Sequence, residues 1–257
     1  MERNDLAALL YTENHEVPYY ECDVTNRMTP AMILNTIILI SEHQNIELGL
    51  GIDFLDKFNL GWVVVQYEID IERMPVMNET IAISTQATSY NRFFAFREFW
   101  IKDSNGETLV HVKSTWVTMD RTARKMVSIP EAVILPYQSE AVKRMPRLKR
   151  PTNINESDDL IKKPYQVRYY DIDGNGHVNN AHYLEWLTDV LPMDFLTTHE
   201  PKQISLRFEN EVQYGHMIES QVTKPVESEG SMVTHHQIVV EDTISATATI
   251  EWRSRVE

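Results

Sequence analysis

Residues 62–71, WVVVQYEIDI, place Val63, Val65, Tyr67, Ile69 and Ile71 on one face, the period of a half-buried strand. Segments 80–85, 92–101 and 109–119 alternate in the same way. Between the last two lies Asp103-Ser104-Asn105-Gly106, a hairpin turn that suits positive φ. Consecutive strands on short turns predict an antiparallel sheet rather than βαβ units. Ahead of them the period changes. Thr29 suits an N-cap and Pro30 the first helical position. Residues 31–40, AMILNTIILI, are apolar on most faces, so this helix must be buried nearly all round. The predicted unit is a long helix wrapped by an antiparallel sheet.

The order then repeats. Residues 164–170 read as a strand, and 181–190 as a helix with Tyr183, Leu184, Leu187 and Leu191 on one stripe. Strands follow at 203–212, 217–222, 232–240 and 243–252, with turns at 227–230 and 241–243. A repeat of about 100 to 140 residues is too long for a solenoid and reads as a duplicated domain. Laying Tyr19–Val24 on Val167–Ile172 puts Asp173 on Thr25, Asn175 on Arg27 and His177 on Thr29. In that register the first half lacks all three side chains. The expected domains are 1–139, a polar linker at 140–163 and 164–257.

Composition narrows the class. The 257 residues are 42% hydrophobic and include 5 Trp, 11 Tyr and 8 Phe, which argues against disorder. A net charge of -14 disfavours nucleic-acid binding by bulk charge. The single cysteine, Cys22, excludes an internal disulfide and a cysteine-based zinc cluster, and it fits a reducing cytosol. The N-terminus lacks the apolar run of a signal peptide. No apolar run of about 18 residues exists to span a membrane.

The segment 171–180, DIDGNGHVNN, joins the strand of the second half to its helix. It begins like a calcium loop, but position twelve is His182 instead of a bidentate Glu, and the flank before it is strand-like. Zinc fits no better: His177 and His182, five apart, do not share a helical face. Two readings remain. In one, Asp173 and Asn175 form turns and Asn179 caps the helix. In the other, Asp173, Asn175 and His177 supply an acid or base, an amide and an imidazole beside the unsatisfied N–H groups of a helix start.

The string from Asp171 to Trp186, with the two-unit plan, resembles the acyl-acyl-carrier-protein thioesterases, bacterial-type double hotdog proteins. Asp173, Asn175, His177, Val178, Asn179, Asn180, Tyr183 and Trp186 match the family motif in place. Glu211, 34 residues beyond His177, matches its further catalytic acid, expected on the following strand. The resemblance implies an α+β tandem hotdog, each half an antiparallel sheet around a long helix. It implies hydrolysis of fatty acyl thioesters of acyl carrier protein, with Asp173, Asn175, His177 and Glu211 catalytic and no cofactor or metal. Plant members carry a Cys after the Glu; here it is Val212, so water is the expected nucleophile, with Glu211 or Asp173 as base. The acyl chain is expected in a first-half slot, with Met28, Met32 and Ile33 as lining. An acyl-CoA thioesterase and a non-catalytic acyl-binding hotdog stay open as alternatives.

Acyl carrier protein is acidic, as is this chain, so docking needs a local basic patch. Lys143, Arg144, Arg147, Lys149 and Arg150 offer one on the linker, and Arg121, Arg124 and Lys125 form a second cluster. The expected partner is the carrier protein with its phosphopantetheine-linked acyl chain, in the cytoplasm, with no nucleic acid and with a homodimer left open. The lack of a transit peptide points to a bacterial-type protein.

Overall fold

The computed structural model describes residues 7–155, 158–174, 176–228 and 230–255. The first half comprises β1 (Leu10–Glu16), α1 (Pro30–Glu47), α2 (Ile52–Asp56), β2 (Leu60–Ile71), β3 (Thr80–Tyr90), β4 (Phe94–Lys102), β5 (Thr108–Asp120), β6 (Lys125–Val127) and α3 (Glu131–Ile134). The short β7 (Glu140–Ala141) follows. The second half comprises β8 (Leu160–Gln166), α4 (Asn180–Asp189), α5 (Met193–Thr198), β9 (His199–Phe208), β10 (Met217–Thr223), β11 (Val226–Ser228), β12 (Ser231–Val240) and β13 (Thr243–Ser254).

The main strands form one sheet in the order β1-β3-β4-β5-β2-β9-β13-β12-β10-β8. The second half of this order mirrors the first about the β2–β9 seam. The result is a tandem hotdog: α1 packs on β1 and β3, α4 on β10 and β12, and the two helices pack on each other. α1 is rich in β-branched residues, which cost up to about 0.7 kcal/mol each in a helix. Burial of Ile33, Leu34 and Ile37 to 1% exposure or less gains about 1.5–3 kcal/mol per side chain. Packing therefore overrides propensity. One apolar cluster runs through both halves, from Ile33 and Tyr67 to Leu184 and Ile204.

The seam is only partly closed. β2 pairs with β5 from Leu60 onward but with β9 only over Gln66–Asp70. β9 ends at Phe208, four residues before the expected end, because Glu209 N and Asn210 N both donate to Ser245 O, at 2.9 and 3.2 Å. Leu60–Val65 and Glu209–Val212 are thus left apart, and a cleft opens between them.

The repeat has a different register from the one expected. A 3₁₀ turn at Tyr19–Glu21 matches one at Tyr169–Asp171. The bridge Cys22–Met28 matches Ile172–Val178. Asp23 N donates to Arg27 O at 2.9 Å, and Asp173 N to His177 O at 2.8 Å. Asp173 therefore falls on Asp23, His177 on Arg27 and Asn179 on Thr29, two residues away from the expected alignment. The first half keeps the aspartate and lacks the imidazole.

The linker is not a loose tether. β7 pairs in parallel with β3, Thr152 N donates to Thr249 Oγ1 at 2.8 Å, and the edge strand β8 already begins at Leu160.

Candidate active site

The loop 171–179 is held by its own backbone. Asp171 is fully buried and accepts from Arg168 N at 2.7 Å and Arg168 Nη2 at 2.7 Å. Burial opposes its ionisation, but the donations from Arg168 outweigh this and hold its carboxyl below the usual range. Asp171 belongs to the loop frame. Gly176 N donates to Asp173 O at 3.0 Å, with Gly176 at φ 81°. The first-half copy places Asn26 there at φ 57°, a residue that tolerates the left-handed region. Asn179 caps α4, accepting from Ala181 N at 3.0 Å, and its Nδ2 donates to Asn35 Oδ1 of α1 at 3.2 Å. One residue thus starts the helix and ties it to the other half.

Three side chains from distant segments converge beyond this loop. His177 Nε2 lies 3.6 Å from Glu211 Oε1. Arg124, on the turn between β5 and β6, donates to His177 Nε2 at 2.8 Å and forms an ion pair with Glu211. The donation makes Nε2 an acceptor, which places the proton of the neutral ring on Nδ1. Burial lowers the His177 pKa, the Arg124 cation lowers it further, and Asp173 opposes both. Asp173 Oδ1 accepts from His177 N at 3.4 Å. Glu211 lies in the loop after β9 rather than on the strand. Asn175, expected in the same site, lies outside the described residues.

The cleft that opens beside these groups has a volume of about 1710 Å³. Asp173, His177, Asn179 and Glu211 line one part of it. Along α1 its wall is Asn35, Ile38, Glu42 and Asn45, a stripe at helical spacing that rises about 15 Å. Trp62, Val64, Phe96, Trp116 and Ile134 supply apolar surface. At the far end of the stripe Arg97 is buried, donating to Gln44 Oε1 at 2.7 Å and Thr85 Oγ1 at 2.9 Å, with its guanidinium 5.0 Å from the Tyr137 ring centroid.

Some expected residues stand elsewhere. Met28, in the loop ahead of α1, and Ile33, on α1, are buried in the core cluster and do not line the cleft. Met32 is half-buried against that core. Lys149 is tied to the sheet: its Nζ donates to Gln203 Oε1 at 2.6 Å and Glu251 Oε1 at 2.5 Å, and its N to Glu68 Oε2 at 2.6 Å. That removes it from the free basic patch. Arg147 and Arg150 line the cleft, while Lys143 and Arg144 are exposed. Arg121 pairs with Asp56. Arg124, first grouped with a docking cluster, is a site residue. Only its contact across 53 residues of sequence reveals this, and no local pattern carries it.

The equivalent region of the first half is sealed. Arg27, in place of His177, pairs with Glu200 at 3.5 Å. Arg255 pairs with Asp23 at 3.4 Å and donates to Thr25. Val17 N donates to Glu79 O as Val167 N does to His216 O. By that equivalence the counterpart of Glu211 is Met74, which is buried.

Among family models, the acyl-ACP thioesterase N-terminal domain matches residues 8–137 and the C-terminal domain residues 154–254. An oleoyl-acyl carrier protein thioesterase, chloroplastic, of Coriandrum sativum is 29% identical over 88% of this chain and 65% of its own length. The chain spans less than two thirds of that relative. A crystal structure provisionally named an oleoyl thioesterase, from Lactobacillus plantarum, is 45% identical with a TM-score of 0.94, covering 97% of this chain and 98% of that one. A 12:0-ACP thioesterase from Umbellularia californica shares the fold, at 22% identity and a TM-score of 0.85 over 96% of this chain and 94% of that one.

Proposed function

The chain belongs to the acyl-ACP thioesterase family, and from that premise we propose that it hydrolyses fatty acyl thioesters of acyl carrier protein. The observation that carries this reading is the placement of His177 and Glu211, 3.6 Å apart and bridged by Arg124, beside a cleft with apolar walls. Neither side chain has a counterpart in the first half.

The two candidate bases now differ. Asp173 has an equivalent, Asp23, whose Oδ1 accepts from Thr25 N at 2.8 Å in a loop without the imidazole. An aspartate here serves the turn in both halves. Glu211 is peculiar to the second half, is exposed to the cleft and faces the imidazole. It is the general base of this mechanism. Water between Glu211 and the thioester carbonyl loses a proton to the carboxylate as its oxygen bonds to the carbonyl carbon. The tetrahedral intermediate then collapses, the C–S bond breaks, and the thiolate takes up a proton. The products are the fatty acid and the carrier protein with its free thiol. A thiol of pKa about 8.5 leaves readily, so acid assistance is a small part of the barrier.

The acyl chain lies along Ile38, Trp62, Phe96 and Trp116 instead of beside Met28 and Ile33. The relative from Lactobacillus plantarum makes an oleoyl thioester the first substrate to test. Lys143, Arg144, Arg147 and Arg150 remain for carrier-protein docking. Thiol release from acyl carrier protein across chain lengths tests the reading, with acyl-CoA compared by kcat/KM. Release from acyl-CoA alone supports the coenzyme thioesterase, and no release from any acyl thioester supports a binding protein.

A further inference from the structure

We propose that Arg124 is a positioning residue of this site, a clamp from the first half that orients His177 and Glu211 of the second. The proposal rests on the thioesterase reading of that pair. Its guanidinium reaches both at once, at 2.8 Å from His177 Nε2 and in an ion pair with Glu211. A planar fork of donors can hold two acceptors in fixed relation, which an ammonium does less well.

The backbone beneath it is built for the purpose. Arg124 has φ 55°, in the left-handed region that is strained for most side chains. Among the described residues, the other non-glycine positions in that region are Asn26, Asn59, Asn78, Gln138, Glu241 and Asp242, four of them Asn or Asp, which suit it best. An arginine there gains nothing locally. The turn holding it is fixed: Asp120 Oδ1 accepts from Thr122 N at 2.9 Å, Ala123 N at 2.7 Å and Asn59 Nδ2 at 3.1 Å. Arg124 N donates to Asp120 O at 2.8 Å. Strain tolerated at an ordered turn, with the side chain delivered to a site, marks function. The device also recurs in reverse. Arg255, just beyond β13, grips Asp23 and Thr25 of the first-half loop. Each loop is held by an arginine of the other half.

Arg124 also keeps the His177 ring in one tautomer and disfavours a second positive charge there. Three charged or titratable groups face the ring: Arg124 from the β5–β6 turn, Glu211 from the loop after β9, and Asp173 from its own loop. Removing Arg124 leaves two carboxylates, so the imidazole becomes easier to protonate.

The test is an NMR titration of His177 in the wild type, Arg124→Gln and Arg124→Lys, with thiol-release kinetics on the same proteins. The expected result is an upward move of the His177 midpoint in Arg124→Gln, and a midpoint near wild type in Arg124→Lys. The expected loss of kcat is at least about tenfold in Arg124→Gln and smaller in the lysine variant, with little change in KM. An unchanged His177 midpoint in Arg124→Gln, or kcat within about twofold of wild type, overturns the proposal. Arg124→Gly, which relieves the backbone, should melt no lower than wild type and lose kcat in the same way. The titration needs no turnover, so it judges the clamp even if no thioester is cleaved.

Discussion

Asp173 and Asp23 occupy one position in two copies of a loop, and only one copy has an imidazole beside it. On the proposed mechanism the aspartate serves the turn, and Glu211 and His177 carry the chemistry. A second histidine shows the opposite use of burial. His236 is fully buried, 2.6 Å from Thr234 Oγ1, whose oxygen also accepts from Trp252 Nε1 at 2.7 Å. Burial drives its pKa down to about 3 from 6.5. The unfolded chain takes up this proton below pH ~6.5 while the folded chain refuses it until about 3, so stability falls as pH drops through that window. Urea unfolding at pH 7 and pH 5 should show a lower midpoint at pH 5, and His236→Gln should reduce the difference. An equal pH dependence in the variant contradicts this. Arg124 lay beyond sequence reading for a residue-scale reason: its partners are 53 and 87 positions away, and nothing local marks it.

At the scale of elements, most strands and both long helices were legible, because alternation and capping are local. Thr29 caps α1 as expected, with Met32 N donating to its Oγ1 at 3.2 Å. Thr29→Ala should therefore lower stability by about 0.5–2 kcal/mol and leave kcat within twofold. A denaturation midpoint equal to wild type would sink that assignment. Of the features that were not legible, three have distinct physical causes. β1, LYTENHE, has too few apolar positions to stand out, being an edge strand with every other residue exposed. The repeat slipped by two residues because Asp23-Val24 resembles Asp171-Ile172 more than Glu21-Cys22 does, whereas the 3₁₀ turns pair Glu21 with Asp171. The end of β9 depends on Ser245 O taking two donors, a contact no local pattern contains.

The whole molecule is a near-symmetric pair, and the proposed site belongs to the second half. The first-half loop is closed by Arg27–Glu200 and Arg255–Asp23, while the second-half loop opens on the seam where β2 and β9 part. The segment between the halves is tied to that sheet by Lys149 and leaves Arg147 and Arg150 at the cleft. In a chain of net charge -14, we propose that these two receive the acidic carrier protein. Arg147→Glu with Arg150→Glu should raise KM for carrier-protein substrates about tenfold or more and leave KM for a small acyl thioester unchanged. An equal rise for both counts against docking there. Water attack with Glu211 as base is checked by thiol release from oleoyl-acyl carrier protein by wild type and Glu211→Gln. The expected result is release by the wild type and a rate at least about 100-fold lower in the variant, with unchanged unfolding. Full activity in Glu211→Gln would contradict it.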